Sequence, residues 1–87
     1  MDNSLVHHYH GYHYQILSRP ISSGGHQGII AVLAHQENFY AIPTEITTPV
    51  TFKSSSAAEI EASAMAFELI NSDAIAVLVP VNVEAQL

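Results

Sequence analysis

Cysteine and tryptophan are absent from this chain of 87 residues, and basic side chains are nearly absent. Without cysteine the chain forms no disulfide, offers no thiolate nucleophile, and binds neither an iron–sulfur cluster nor zinc through sulfur. The two basic residues, Arg19 and Lys53, face eight acidic ones. Affinity for nucleic acid scales with the number of phosphates that basic groups neutralise, so we expect no direct binding to DNA or RNA.

Long apolar runs are also lacking. The longest, residues 29–34 and 74–81, are far shorter than the roughly 20 residues of a membrane-spanning helix. The N-terminal residues lack the basic and apolar regions of a secretory signal. An anionic lipid surface would require several basic residues in one patch. We therefore predict no membrane partner and a cytoplasmic location.

The composition is that of a folded protein, with 48% hydrophobic and 11% charged residues and a mean hydropathy of +0.21. The length predicts a single small domain over residues 1–87, with a tail after about residue 80 that frays. Such a short chain buries only about 60 to 65% of its unfolded surface, so self-association would enlarge a thin core. The net charge of −6 favours solubility and partners with basic surfaces.

Hydrophobic patterning predicts a three-stranded antiparallel meander. Residues 5–17 alternate in their second half, with tyrosines on the inner face. Residues 28–35 are apolar on both faces and rich in β-branched side chains, which suits a central strand. Residues 39–42 form the third strand. Residues 44–52 contain Pro49 and are expected at an edge or in an irregular crossing.

A helix is predicted over residues 57–70. Ser56 and Glu59 fit a capping box at its start, and the Ala, Glu, Met and Leu content favours helix. Two apolar stripes result from steps of 100° along this helix. A helix that lies on one sheet needs only one of them, so we predict that the other contacts a partner subunit or a C-terminal segment. The stripe assigned to the partner consists of Ala58, Ala62, Met65 and Leu69, and the remaining one of Ile60, Ala64 and Phe67.

Residues 74–79 are predicted to form a last, buried strand that ends at Pro80. This strand would complete the sheet beside the first strand or pair with a second chain. The expected fold class is α+β, in the order β-β-β-α-β, with the helix packed on the sheet. The predicted homodimer and partner interface combines the helix stripe with this strand, at Ala58, Ala62, Met65, Leu69, Ile75, Val77 and Val79.

Four histidines cluster near the N-terminus, at His7, His8, His10 and His13. On one continuous strand His8 and His10 share a face, and the other two lie on the opposite face. All four could converge on a metal only if the chain bent at Gly11. We therefore predict at most a zinc or nickel site at His8 and His10, completed by one loop residue, against incidental metal uptake as the plainer interpretation.

No motif orders the serine, histidine and glutamate side chains for catalysis, and a short chain leaves little room for a cleft. We expect no enzyme and no cofactor. The favoured function is a non-catalytic protein-binding domain of bacterial or phage origin. It would form a homodimer and act as an adaptor or inhibitor of a protein with a basic surface. The alternative is a small-ligand or metal-binding domain that uses the His- and Tyr-rich first strand.

Overall fold

The computed structural model describes residues 5–79, in which a helix lies across one face of a four-stranded antiparallel sheet. Neighbouring strands follow one another in chain order, so the sheet is a meander. The predicted α+β class is confirmed, whereas the predicted tail after residue 80 lies outside the described residues. The strands are β1 His7–Tyr9, β2 Tyr12–Pro20, β3 His26–His35 and β4 Asn38–Thr47, and the helices are α1 Ser55–Asn71 and α2 Ile75–Leu78.

The first predicted strand, residues 5–17, is instead a hairpin of β1 and β2. His10 has φ 51° and Gly11 has φ 86°, and two successive positive φ angles are typical of a type I′ hairpin turn. Glycine reaches this conformation at no steric cost, so the chain reverses there rather than continuing. The prediction of one continuous strand is therefore wrong, and the reversal supplies the fourth strand of the sheet.

Strand β3 is central, as its apolar sequence predicts. It pairs with β2 on one side and with β4 on the other. The side chains of Ile30 and Val32 are fully buried on the side of α1. Strand β4 forms one edge of the sheet and contains Pro43, which an edge strand tolerates.

Helix α1 packs on the sheet through small side chains spaced four residues apart. A Cβ atom added at Gly28 would lie 2.4 Å from the carbonyl oxygen of Ala58, so the backbones of helix and strand approach closely. The predicted helix is confirmed, but its N-cap is Ser54 rather than Ser56, since the Ser54 Oγ accepts a hydrogen bond from the Ala57 N–H at 3.1 Å. The buried positions of the helix are Ala58, Ala62, Ala66 and Ile70.

The predicted C-terminal strand over residues 74–79 is wrong, because Ile75–Leu78 forms the short helix α2. Asp73, two residues after the end of α1, takes a φ of 66° and redirects the chain. Ile75 and Val79 then fold back and join the hydrophobic core beneath α1. A short apolar run suits either a buried strand or a buried helical turn, so the pattern alone did not separate them.

Candidate functional site

The helix stripe that we assigned to a partner faces the protein's own sheet. Ala58 and Ala62 have no exposed surface, and Met65 and Leu69 are half-buried against the core. Because Ala58 and Ala62 are fully buried, they cannot contact a second protein, and their assignment to an interface is wrong. The physical reason is the close approach of α1 to Gly28, where only alanine-sized side chains fit.

The other three predicted interface residues lie on α2 and directly after it. Ile75 and Val79 are buried in the core, so they are also unavailable to a partner. Val77, in contrast, is 84% exposed and remains accessible. The C-terminal part of the predicted interface therefore reduces to one side of the short helix α2.

The exposed apolar stripe of α1 consists instead of Ile60, Ala64 and Phe67. Ile60 is 68% exposed and Phe67 is 52% exposed. The Phe67 ring stacks on Tyr9 with centroids 4.6 Å apart, and the Tyr9 hydroxyl donates a hydrogen bond to Asn71 Oδ1 at 2.9 Å. These contacts fix strand β1 against the helix and leave the apolar stripe facing outwards.

A groove of about 590 Å³ runs between β2 and the N-terminal half of α1. Leu5, Ile16 and Ile60 give it apolar walls, while Ser18 and Glu59 give it a polar one. The Ser18 hydroxyl donates a hydrogen bond to Glu59 Oε2 at 2.9 Å, and this bond joins the two sides. The groove therefore combines apolar contact area with one carboxylate.

One side of this groove is a strand edge that has no strand partner within residues 5–79. Strand β1 is short and pairs only with Tyr12, His13 and Tyr14 of β2. The outer edge of residues 15–20 is left without a neighbouring strand in the described chain. Such an edge presents alternating N–H and C=O groups that can pair with an added strand.

The charge around the groove is negative. Helix α1 carries Glu59, Glu61 and Glu68 and contains neither lysine nor arginine. Arg19 is engaged by Glu45 on β4, with Nη2 and Oε1 2.8 Å apart. The outer face of α1 thus attracts positively charged groups and repels a second acidic surface.

The hairpin separates the two histidines that we predicted to share a metal. His10 occupies the turn, where its ring packs against the Tyr9 ring with centroids 4.3 Å apart. His8 lies opposite His13 on β2, and their Nδ1 atoms are 2.8 Å apart. The predicted pairing of His8 with His10 is therefore wrong, because Gly11 reverses the chain. Across the described residues, no group of three or more potential metal ligands lies close together.

A second pocket, of about 420 Å³, lies between the hairpin turn and the end of α1. His10, Tyr12, His35 and Asp73 contribute to its walls, and the Tyr12 and His35 rings stack 4.0 Å apart. Burial raises the pKa of Tyr12, and the Asp73 carboxylate raises it further. Within residues 5–79 no hydrogen bond joins these four side chains. Aromatic packing accounts for the arrangement.

Comparisons with known proteins assign no relationship to the chain. No family model matches it, and no significant match was found among curated proteins or solved structures. Among residues 5–79, no helix combines the length and the apolarity needed to cross a membrane. The features of the protein that bear on its function are therefore the groove, the neighbouring strand edge and the charge of α1.

Proposed function

We propose that this protein is a non-catalytic protein-binding domain that holds an extended, basic and apolar segment of a partner protein. The segment would lie in the groove between β2 and α1. The observation that carries the proposal is the edge of residues 15–20 beside that groove, which has no strand partner among residues 5–79. The other features of the site supply its selectivity.

Backbone hydrogen bonds would provide the main attachment of the bound segment. An extended segment can add to an exposed sheet edge through main-chain hydrogen bonds, while every second side chain enters a neighbouring groove. Hydrogen bonding alternates along an antiparallel strand, so Ile16 and Ser18 direct their N–H and C=O groups to this edge, whereas their neighbours in β2 bond to β3. Pro20 has no N–H and ends the pairing. The edge therefore accommodates a short segment.

Apolar contacts would come from the walls of the groove. Leu5 is 72% exposed and Ile60 is 68% exposed, so both lose contact with water when a segment covers them. Burial of apolar surface contributes about 25 cal/mol per Å², which makes such contacts the main source of affinity at a small site. Alternate positions of the bound segment should accordingly be apolar.

The charge of the site favours a basic partner. Glu59 lies in the groove, and Glu61 and Glu68 lie along the exposed side of α1. Lysine or arginine residues of a bound segment would be attracted by the negative field of these carboxylates. This complementarity supports an adaptor or an inhibitor that covers a basic protein surface, and it predicts binding that weakens as salt is added.

The homodimer stays a prediction, but a different surface from the one predicted is required for its interface. Two acidic α1 faces would repel each other, so this face does not suit self-association. Of the residues predicted at the dimer interface, Val77 is 84% exposed, and Met65 and Leu69 are half-buried. A dimer through α2 would leave the groove of each subunit open to a partner.

A pair of synthetic peptides tests the proposed function. One alternates valine and lysine over ten positions, and the other replaces each lysine with glutamate. We expect the lysine peptide to bind at low salt and the glutamate peptide not to bind, as measured by fluorescence anisotropy. Equal binding of both peptides, or no binding of either, would contradict the proposal.

Two matched variants locate the binding. Ile60→Glu places a charge on the groove wall, while Ile42→Glu places the same charge on β4, at a side chain that is 81% exposed. We expect the first variant to weaken binding of the lysine peptide by more than about tenfold, since one buried apolar anchor is worth at least 1.4 kcal/mol. The second variant should bind like the parent protein.

A further inference from the structure

The paired histidines of the hairpin lie on the face of the sheet opposite the groove. His7 stacks on Tyr14, which belongs to the core beneath α1. Side chains alternate across a strand, so the neighbouring His8 and its cross-strand partner His13 point away from α1. Both side chains are outside the core, and their arrangement does not depend on the proposed partner site.

The hairpin turn brings these two side chains together. In a hairpin with a two-residue turn, the residues that flank the turn form the hydrogen-bonded pair, here Tyr9 and Tyr12. The next pair, His8 and His13, is non-hydrogen-bonded, and side chains of such pairs approach most closely. The imidazole rings are perpendicular, with centroids 4.5 Å apart and Nδ1 atoms 2.8 Å apart.

This separation matches two neighbouring ligands of a square-planar ion. Metal–imidazole bonds of about 2.0 Å place ligands at a right angle about 2.8 Å apart, whereas a tetrahedral angle places them about 3.3 Å apart. Square-planar nitrogen coordination is typical of Cu²⁺ and Ni²⁺, and Cu²⁺ binds more tightly in the usual order of divalent metals. Rotation of both rings about their Cβ–Cγ bonds would direct the two lone pairs at one ion.

We propose that His8 and His13 form a two-histidine site for a divalent metal ion, with Cu²⁺ as the preferred ion. Both imidazoles bind in the neutral form through Nδ1. The hydrogen atom that the two Nδ1 atoms share in the metal-free hairpin moves to the outward Nε2 atom of its ring. Water fills the remaining positions, since no third protein ligand within residues 5–79 completes the site. The ion would clamp β1 to β2.

Calorimetric titration with copper sulfate at neutral pH tests this site. We expect one Cu²⁺ ion per chain, and a loss of affinity of more than about tenfold for His8→Ala and for His13→Ala. A group that only supports a metal ligand is worth 10- to 100-fold in affinity, so a direct ligand should be worth at least as much. Loss of either histidine should already remove the site, so the double variant His8→Ala/His13→Ala should bind Cu²⁺ as weakly as each single variant does.

Two control variants remove other histidines of the cluster. His7→Phe retains a ring beside Tyr14, and His10→Asn places a residue that tolerates positive φ in the turn. Both should bind Cu²⁺ within about twofold of the parent, as expected for groups outside the site. If all four variants lose affinity equally, copper binds the histidines diffusely and the proposal is overturned.

A second measurement guards against variants that fail to fold. Paramagnetic Cu²⁺ broadens nearby proton resonances, so at substoichiometric copper the ring signals of His8 and His13 in the parent protein should disappear first. Earlier broadening of the His26 or His35 ring signals would overturn the proposal without any substitution. Copper should also raise the Tm of the parent but not of His13→Ala, because the ion binds only the folded hairpin.

Discussion

At the scale of single residues, Thr48 joins the end of β4 to the start of β3. It is 1% exposed, and its hydroxyl accepts a hydrogen bond from the Gly28 N–H at 3.1 Å. The same hydroxyl donates to the Val50 carbonyl oxygen at 2.8 Å. Gly28 is also where α1 approaches most closely, so one side chain secures the strand position on which the helix rests.

Replacement of this hydroxyl by a methyl group should be costly. Thr48→Val keeps the shape of the side chain but leaves a buried N–H and a carbonyl group without a partner, which costs about 1 to 3 kcal/mol. Thr47→Val alters the exposed neighbour and should change the free energy of unfolding by less than about 0.5 kcal/mol. Urea denaturation measures both values. Equal effects of the two substitutions would argue against the role of Thr48.

Three tyrosines make stability depend on alkaline pH. Burial raises the pKa of Tyr12, Tyr14 and Tyr40 above the usual tyrosine value of about 10. The folded protein therefore holds these protons more tightly than the unfolded chain does. Their contribution is complete below the unfolded pKa and is lost as the pH rises through the folded pKa.

We consequently expect the free energy of unfolding to fall above a pH of about 10. Denaturation in urea at a series of alkaline pH values measures this dependence. Tyr14→Phe removes one of the titrating groups, so the stability of this variant should fall less steeply. A profile that is flat at alkaline pH, or identical slopes for the variant and the parent, would refute the account.

At the scale of elements, the sequence predicted the long and strongly patterned segments. The central strand β3 and helix α1 formed close to the predicted residues, because each combines a clear periodicity with suitable propensity. Two shorter elements were not predicted. Residues 10–11 form a turn without the usual Asn–Gly pair, and Ile75–Leu78 forms a helix from a run that fits either structure.

The candidate site was harder to predict than the fold. Helix α1 has two apolar stripes, and sequence alone does not state which of them meets the sheet. In the structure the stripe that contains Ala58 and Ala62 faces the sheet, since the small size of these side chains permits close contact with Gly28. The one available signal was size, because a helix buries its smallest residues where another backbone comes closest. A turn at residues 10–11 places His8 opposite His13, because the two residues are equally distant from it. Recognition of this turn in the sequence would therefore have predicted the histidine pair.

The orientation of α1 can be tested with two enlarged alanines. Ala62→Leu forces extra volume into the contact with β3 and should lower the free energy of unfolding by about 1 to 3 kcal/mol. Ala64→Leu adds the same volume on the exposed stripe and should change it by less than about 0.5 kcal/mol. Thermal unfolding followed by circular dichroism measures both. The reverse order of effects would mean that the other stripe faces the sheet.

At the scale of the whole molecule, the two proposed sites use different surfaces. The groove and the acidic face of α1 lie on the helical side of β2, and the His8–His13 pair lies on the other side of the hairpin. Both depend on β1 being short and sharply turned. In the part of the chain that the structure describes, the short β1 leaves the outer edge of residues 15–20 without a strand partner, and the tight turn brings the histidines together. The acidity that favours a basic partner was evident from composition alone, whereas this division of surfaces required the structure.

The most direct measurement of the central claim is an NMR titration of the ¹⁵N-labelled protein with the alternating valine–lysine peptide. Our account predicts that amide shifts concentrate in residues 15–20 and around Ile60, and that the edge amides of Ile16 and Ser18 become protected from exchange with solvent. The exposed strand β4, Asn38–Thr47, should stay unchanged. Shifts centred on β4, or spread evenly over the acidic surface without protection, would show that the β2 edge is not the binding site.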